Sequence, residues 1–76
     1  NFKIYPNPTN GFITVDSDGE GYYSMFSLDG KKIIENGMLN SQLTKIDLTG
    51  LKKGVYLLQI TNNEGQKITK RLIKSN

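Results

Sequence analysis

Apolar residues in this chain recur at alternate positions in short runs, and turn-forming residues interrupt them every eight to twelve positions. Successive side chains of a β-strand point to opposite faces, so alternation over four to eight residues is the mark of a half-buried strand. Reading between the interruptions predicts seven strands, at residues 2–5, 12–16, 22–28, 31–35, 44–48, 55–61 and 66–74. Pro6 and Pro8 end the first, because proline has no N–H to give to a central ladder. Asn10-Gly11 precedes the second, in which Ile13 and Val15 alternate with Phe12 and Thr14. Asp29-Gly30 between two apolar runs predicts a hairpin built on a type I′ turn, with positive φ at both positions. Asn62-Asn63-Glu64-Gly65 predicts a second hairpin joining the last two strands. Residues 39–51 come nearest to a helical period, through Leu39, Leu43, Ile46 and Leu51. Thr44, Asp47, Thr49 and Gly50 are poor helix formers, however, and Ile46 and Leu48 also fit period two.

One local pattern narrows the fold. Tyr56 stands two residues past Gly54 and five past Leu51, at the start of an apolar strand. That is the placement of the tyrosine corner of immunoglobulin-like and fibronectin-type sandwiches, in which the phenol bonds back to nearby backbone. Tyr56 also reads as a strand aromatic facing the core beside Leu58 and Ile60, and the two readings are compatible. The expected fold class is all-β, a seven-stranded antiparallel Ig-like β-sandwich.

Composition bounds the rest. Seventy-six residues, 36% apolar and 22% charged, allow one domain with one thin core. The chain opens Asn-Phe-Lys rather than with Met and reads as a piece cut from a longer protein. No apolar run approaches the ~20 residues a spanning helix needs, so no direct membrane insertion is expected. Without Cys there is no disulfide, thiol nucleophile or thiolate metal site, and without His the commonest general base and metal ligand are gone. Net charge is +3 but unevenly spread. Residues 1–38 hold three Lys against Asp16, Asp18, Glu20, Asp29 and Glu35, whereas residues 39–76 hold seven bases against Asp47 and Glu64. Lys67, Lys70, Arg71 and Lys74 crowd the last ten positions with no acid. Such an end suits an anionic partner, and equally suits an edge strand that uses Lys to discourage edge-to-edge pairing.

The chemical motifs fail one by one. Asp16, Asp18 and Glu20, with Gly21 after them, match the first half of an EF-hand loop, but the position for the bidentate Glu is Ser27 and no helices flank it. The Gly residues form no phosphate-binding loop, and Asn7-Pro8-Thr9 has Pro in the excluded place of a glycosylation triplet. An oligonucleotide-binding sheet interleaves aromatics with Lys and Arg. Tyr22, Tyr23 and Phe26 instead lie in the acidic half, away from the basic strand, so no nucleic acid is expected. The acids fall mostly in turns and offer no carboxylate pair for hydrolysis. The residues themselves thus point to a module with no catalytic residue, metal or cofactor.

The order of motifs adds a family. Residues 4–11, Ile-Tyr-Pro-Asn-Pro-Thr-Asn-Gly, resemble the Y-P-N-P-x-x-x-G opening of type A C-terminal sorting domains of the type IX secretion system, also called the Por secretion system. Met25 to Lys31 are similar to the family's apolar strand ending in x-G-K, and Asp47 to Tyr56 to its D-L-x-x-L-x-x-G-x-Y segment. Lys70 to Lys74 look like its basic-apolar close. The resemblance covers essentially the whole chain, with one departure: Ser27 stands where the family often has an acid.

The resemblance implies a non-catalytic domain, residues 1–76, at the C-terminus of a larger secreted protein of the Bacteroidetes. It implies partners as well: an N-terminal cargo fused to it, type IX translocon components, and a sortase-like peptidase that commonly removes the domain. The parent would pass through the periplasm on its way to the cell surface or extracellular space. Tyr5, Pro6, Asn7, Pro8, Gly11, Gly30, Lys31, Gly54 and Tyr56 then read as structural; Tyr5-Pro6-Asn7-Pro8 is either a stiff, extended segment with restricted backbone or a β-edge breaker that protects the first strand. Ile68, Lys70, Arg71, Leu72, Ile73 and Lys74 read as the candidate translocon contact, since a terminal edge strand can accept backbone pairs from a partner sheet. The rival is a carbohydrate-binding or structural Ig-like module of an extracellular enzyme. Tyr22 and Tyr23 would be its platform, although consecutive strand residues face opposite sides.

Overall fold

A computed structural model describes residues 2–17, 19–40 and 42–75. The described chain folds as seven strands without a helix: β1 Phe2–Tyr5, β2 Phe12–Ser17, β3 Gly21–Ser27, β4 Lys32–Leu39, β5 Leu43–Asp47, β6 Gly54–Asn62 and β7 Lys67–Lys74. The expected all-β, two-sheet architecture is found. One sheet has the order β1-β2-β5 and the other β4-β3-β6-β7, with every neighbouring pair antiparallel. A constant-type immunoglobulin sandwich places its fourth strand beside the first sheet. Here β4 lies beside β3 instead.

Period-two patterning produces the core directly. Ile13 and Val15 of β2 and Ile46 of β5 point inward from one sheet; Met25, Leu39, Leu58, Ile60 and Leu72 point inward from the other. Leu48 and Tyr56 complete a single buried cluster. Tyr56 serves as both core residue and corner. Its ring is buried, and its hydroxyl donates to the Lys52 carbonyl at 2.6 Å across the crossing from β5 to β6.

Two expectations about boundaries need correction. β4 runs four residues beyond Glu35, to Leu39, because two bulges against β3 let the strand continue past Asn36-Gly37 without losing its pairing. The Asp29-Gly30 hairpin does not use a two-residue turn. Ser27 N–H bonds to the Lys31 carbonyl and Gly30 N–H to the Ser27 carbonyl, so the loop is three residues, 28–30, with Gly30 at φ 88°. A three-residue loop of this kind combines a type I turn with a left-handed glycine bulge, and the side chain before the glycine supports it. The Asp29 carboxylate accepts from the Ser27 hydroxyl and from the Lys31 N–H. The β6–β7 hairpin repeats the scheme, with Gly65 at φ 82° and Asn62 Oδ1 accepting from the backbone of Glu64 and Gln66.

The Ser27 hydroxyl first, then the Lys31 N–H, holds the exposed Asp29 carboxyl below its ordinary value. A lowered carboxyl favours the folded state above its ordinary pKa, and that contribution fades as pH falls through the lowered value. Ser27→Ala is therefore expected to return the Asp29 titration, followed by carboxyl NMR shift, toward the ordinary carboxylate range. Gly21 pairs with Asn62, and a Cβ there would overlap the Thr61 carbonyl oxygen, whereas a Cβ on Gly19 meets nothing within 4 Å. Gly21→Ala should cost about 1–3 kcal/mol in urea unfolding, and Gly19→Ala no more than about 0.5 kcal/mol.

Candidate functional site

β1 and β7 are edge strands of different sheets on the same flank of the sandwich, and the residues between β1 and β2 join them. β1 pairs with β2 in the three-stranded sheet, after which the chain passes Pro6 and Pro8 and lies parallel to the end of β7 in the other. Both X-Pro bonds here are cis. Neither proline has an N–H, so the residues between and after them make the contacts. Asn7 Oδ1 accepts from the Ile73 N–H at 3.0 Å, and Asn7 Nδ2 donates to the Arg71 carbonyl at 2.8 Å. The amide side chain thereby imitates one residue of a β-ladder. Thr9 continues the imitation with its backbone: its N–H donates to the Ile73 carbonyl at 2.9 Å and its carbonyl accepts from Ser75 N–H at 2.8 Å. Thr9 is buried, and its hydroxyl donates to the Phe12 carbonyl while accepting the Gly11 N–H.

The proline-bounded segment, expected to break the edge of the first strand, also covers part of the last one. Sequence reading placed Asn7 among structural residues without seeing its partner, and missed Thr9 altogether. Both act across more than sixty residues of sequence, a separation that no local pattern reports.

The six candidate contact residues do not share one surface. Alternation along β7 divides them. Leu72 and Lys74 turn into the sandwich and are 1% and 3% exposed. The Lys74 stem is buried with the core side chains, and its ammonium donates to the Leu51 carbonyl at 3.2 Å. As solvent-facing contacts, Leu72 and Lys74 are thus withdrawn by their own burial. Ile68 and Lys70 point to the same side, where the flank remains open as a cleft bordered by Phe2, Gly19 and Lys67. Ile68 is half-buried there, and Lys70 reaches solvent. Arg71 and Ile73 project from the opposite, outer face of the sheet, both exposed.

That outer face overturns another expectation. The aromatics of the acidic half were expected to lie away from the basic strand. Register instead sets Lys32, Phe26, Leu57 and Arg71 side by side across four strands, and Tyr22, Thr61 and Lys67 in a second row. The Lys32 ammonium sits 5.7 Å from the centre of the Phe26 ring. Val55 pairs with Ile73, which extends the apolar strip to the sheet edge. β6 lies between the two and removes the separation that the linear sequence implied.

Tyr22 and Tyr23 divide as their adjacency requires. Tyr22 is 44% exposed, while Tyr23 packs against the core over Gly37, and burial raises its phenol pKa. They form no shared platform. Of the acidic loop, Asp16 belongs to β2, Ser17 is buried and bonds to Gly19 and Asn40 carbonyls, and Asp18 lies outside the described residues. Among the described residues, no three acidic side chains gather at one point. Lys31 and Gly30 sit in the β3–β4 hairpin, with Lys31 exposed, and Gly54 opens β6. Tyr5 is 45% exposed at the end of β1, and Gly11 accepts the Leu48 N–H through its carbonyl.

These features define a small β-sandwich that presents basic and apolar side chains along a partly covered sheet edge. The chain belongs to the family of secretion-system C-terminal sorting domains, whose family model matches residues 3–75. The type IX assignment from the motif order agrees with it. The chain is also similar to a β-agarase D from Zobellia galactanivorans, at 25% identity over 73 residues, which are 96% of this chain and 15% of that protein. It is a secretion signal, and the protein that carries it is destined for export.

The divided strand makes a sharp prediction. Lys74→Ala removes a buried stem and a hydrogen bond and should cost about 1–3 kcal/mol in chemical denaturation. Lys70→Ala and Arg71→Ala, both at exposed positions, should each change stability by no more than about 0.5 kcal/mol.

Proposed function

We propose that this domain is the C-terminal export address of a larger cargo protein, carries no catalytic residue of its own, and is read in the periplasm by the type IX translocon. In this reading the cargo is fused N-terminal to residue 1, crosses the outer membrane with the domain, and is freed when a sortase-like peptidase removes it. The family match over residues 3–75 is the observation that supports it most. The recognition surface is the exposed part of β7 and its flank, where Lys70, Arg71 and Ile73 reach solvent with Ile68 beside them. Lys70 and Arg71 occupy opposite faces of the strand, so a partner touching both must wrap the sheet edge rather than rest on one face.

A periplasmic reporter fused to residues 1–76 tests the reading in a host with a working type IX system. The reporter is expected outside the cell with the natural sequence. Lys70→Gln combined with Arg71→Gln should reduce export several-fold while circular dichroism stays unchanged. Normal export from the charge-neutralised pair would reject this surface, and no export of the natural fusion would reject the address itself. Charge substitution separates these outcomes better than deleting residues 70–76, because deletion also removes buried Leu72 and Lys74.

A further inference from the structure

The edge of β7 is covered for only part of its length. In an antiparallel pair, backbone groups turn toward the partner strand at every second residue and away at the others. The Asn62 N–H to Gln66 carbonyl bond fixes that phase, so Ile68, Lys70, Leu72 and Lys74 bond toward β6. Lys67, Thr69, Arg71, Ile73 and Ser75 therefore turn their N–H and C=O groups outward. Asn7 and Thr9 satisfy the Arg71 carbonyl, both Ile73 groups and the Ser75 N–H. Among the described residues, nothing bonds to the outward groups of Lys67 and Thr69 or to the Arg71 N–H.

The open stretch borders the flank cleft. Its lining pairs apolar Phe2 and Ile68 with the cations Lys67 and Lys70, and among the described residues Glu64 is its one acid. Free ladder groups, an apolar floor and excess positive charge together suit an extended segment with alternating acidic and apolar side chains. The segment already lying on β7 has no charge at residues 6–9, so it fills the ladder without using these lysines.

We propose that the outer edge of β7 is a strand-acceptor site for an extended acidic segment of a partner protein, open at residues 67–71, and that Asn7 sets where the added strand must stop. The proposal rests on the reading of β7 as the recognised strand and adds the chemistry of what reads it. The incoming backbone bonds to Lys67, Thr69 and the Arg71 N–H; its carboxylates face Lys67 and Arg71 on the outer side of the sheet, and its apolar side chains turn to Ile68 in the cleft. Further pairing meets the Asn7 amide, which already holds the Arg71 carbonyl and Ile73 N–H.

Amide hydrogen exchange of the intact 76-residue chain tests this, with an alternating Glu-Val hexapeptide as probe and its Lys-Val counterpart as control. At a peptide concentration about ten times its Kd, the Glu-Val peptide should slow exchange at Lys67, Thr69 and Arg71 roughly tenfold and leave Ile73 unchanged. In Asn7→Ala the slowed set should extend to Ile73. The Lys-Val peptide should slow none of them. No slowing in the natural chain, or equal slowing by both peptides, would overturn the proposal even if Asn7→Ala failed to fold. An identical footprint in folded Asn7→Ala would overturn the role of Asn7. The export assay keeps the two ideas apart. Export lost in the charge-neutralised pair, with no peptide footprint on the natural chain, rejects strand addition and leaves the export address standing.

Discussion

Everything on the β7 flank depends on one side-chain amide. Asn7 bonds through both its oxygen and its nitrogen to successive outward groups of β7, and so gives the last strand the neighbour that its sheet lacks. β1 belongs to one sheet and the residues after it to the other, so the same contact fastens the two layers along one side. A domain of this size buries too little surface to hold two sheets together by core packing with much to spare. With no cysteine in the sequence, hydrogen bonds between the first and last segments do the fastening that disulfides perform in many small secreted domains.

Period two made the strands legible. Each of the seven predicted segments overlaps an observed strand, and the inward positions of β2, β5 and β6 follow from alternation alone. The tyrosine corner was legible because its signal is local: Leu51, Gly54 and Tyr56 lie within six residues, and the bond from Tyr56 to Lys52 spans four. Turn detail was harder to read. Asp-Gly favours a two-residue turn, but hydrogen bonds from the Ser27 hydroxyl and Lys31 N–H to Asp29 stabilise a three-residue loop. Charge was read least well. Lys74 looks like any other base of a basic tail, and only the tertiary structure brings Leu51 to its ammonium and core side chains to its stem.

The grouping of Phe26 with Arg71 shows why charge along a sequence is a poor guide to charge on a surface. Forty-five positions separate them, yet the register of β3, β6 and β7 leaves only Leu57 between them. The alternation that revealed the strands also splits neighbouring bases, sending Lys70 into the flank cleft and Arg71 to the outer face. A basic run in a strand is therefore two half-runs on opposite surfaces. Here each half meets different apolar neighbours: Phe2 and Ile68 on one side, Leu57 and Ile73 on the other.

The bonds from Asn7 to Arg71 and Ile73 have a consequence in time as well as space. They span 64 and 66 residues of a 76-residue chain, close to the longest separation such a chain allows. Contacts of that range form only after the intervening chain exists and its ends have met. A ribosome delivers Ile73 66 residues after Asn7, so a product cut short before Arg71 has nothing for that amide to hold. The closed flank certifies that synthesis has passed the last strand. An address read from this flank would be legible only on messages that had been written through to that point.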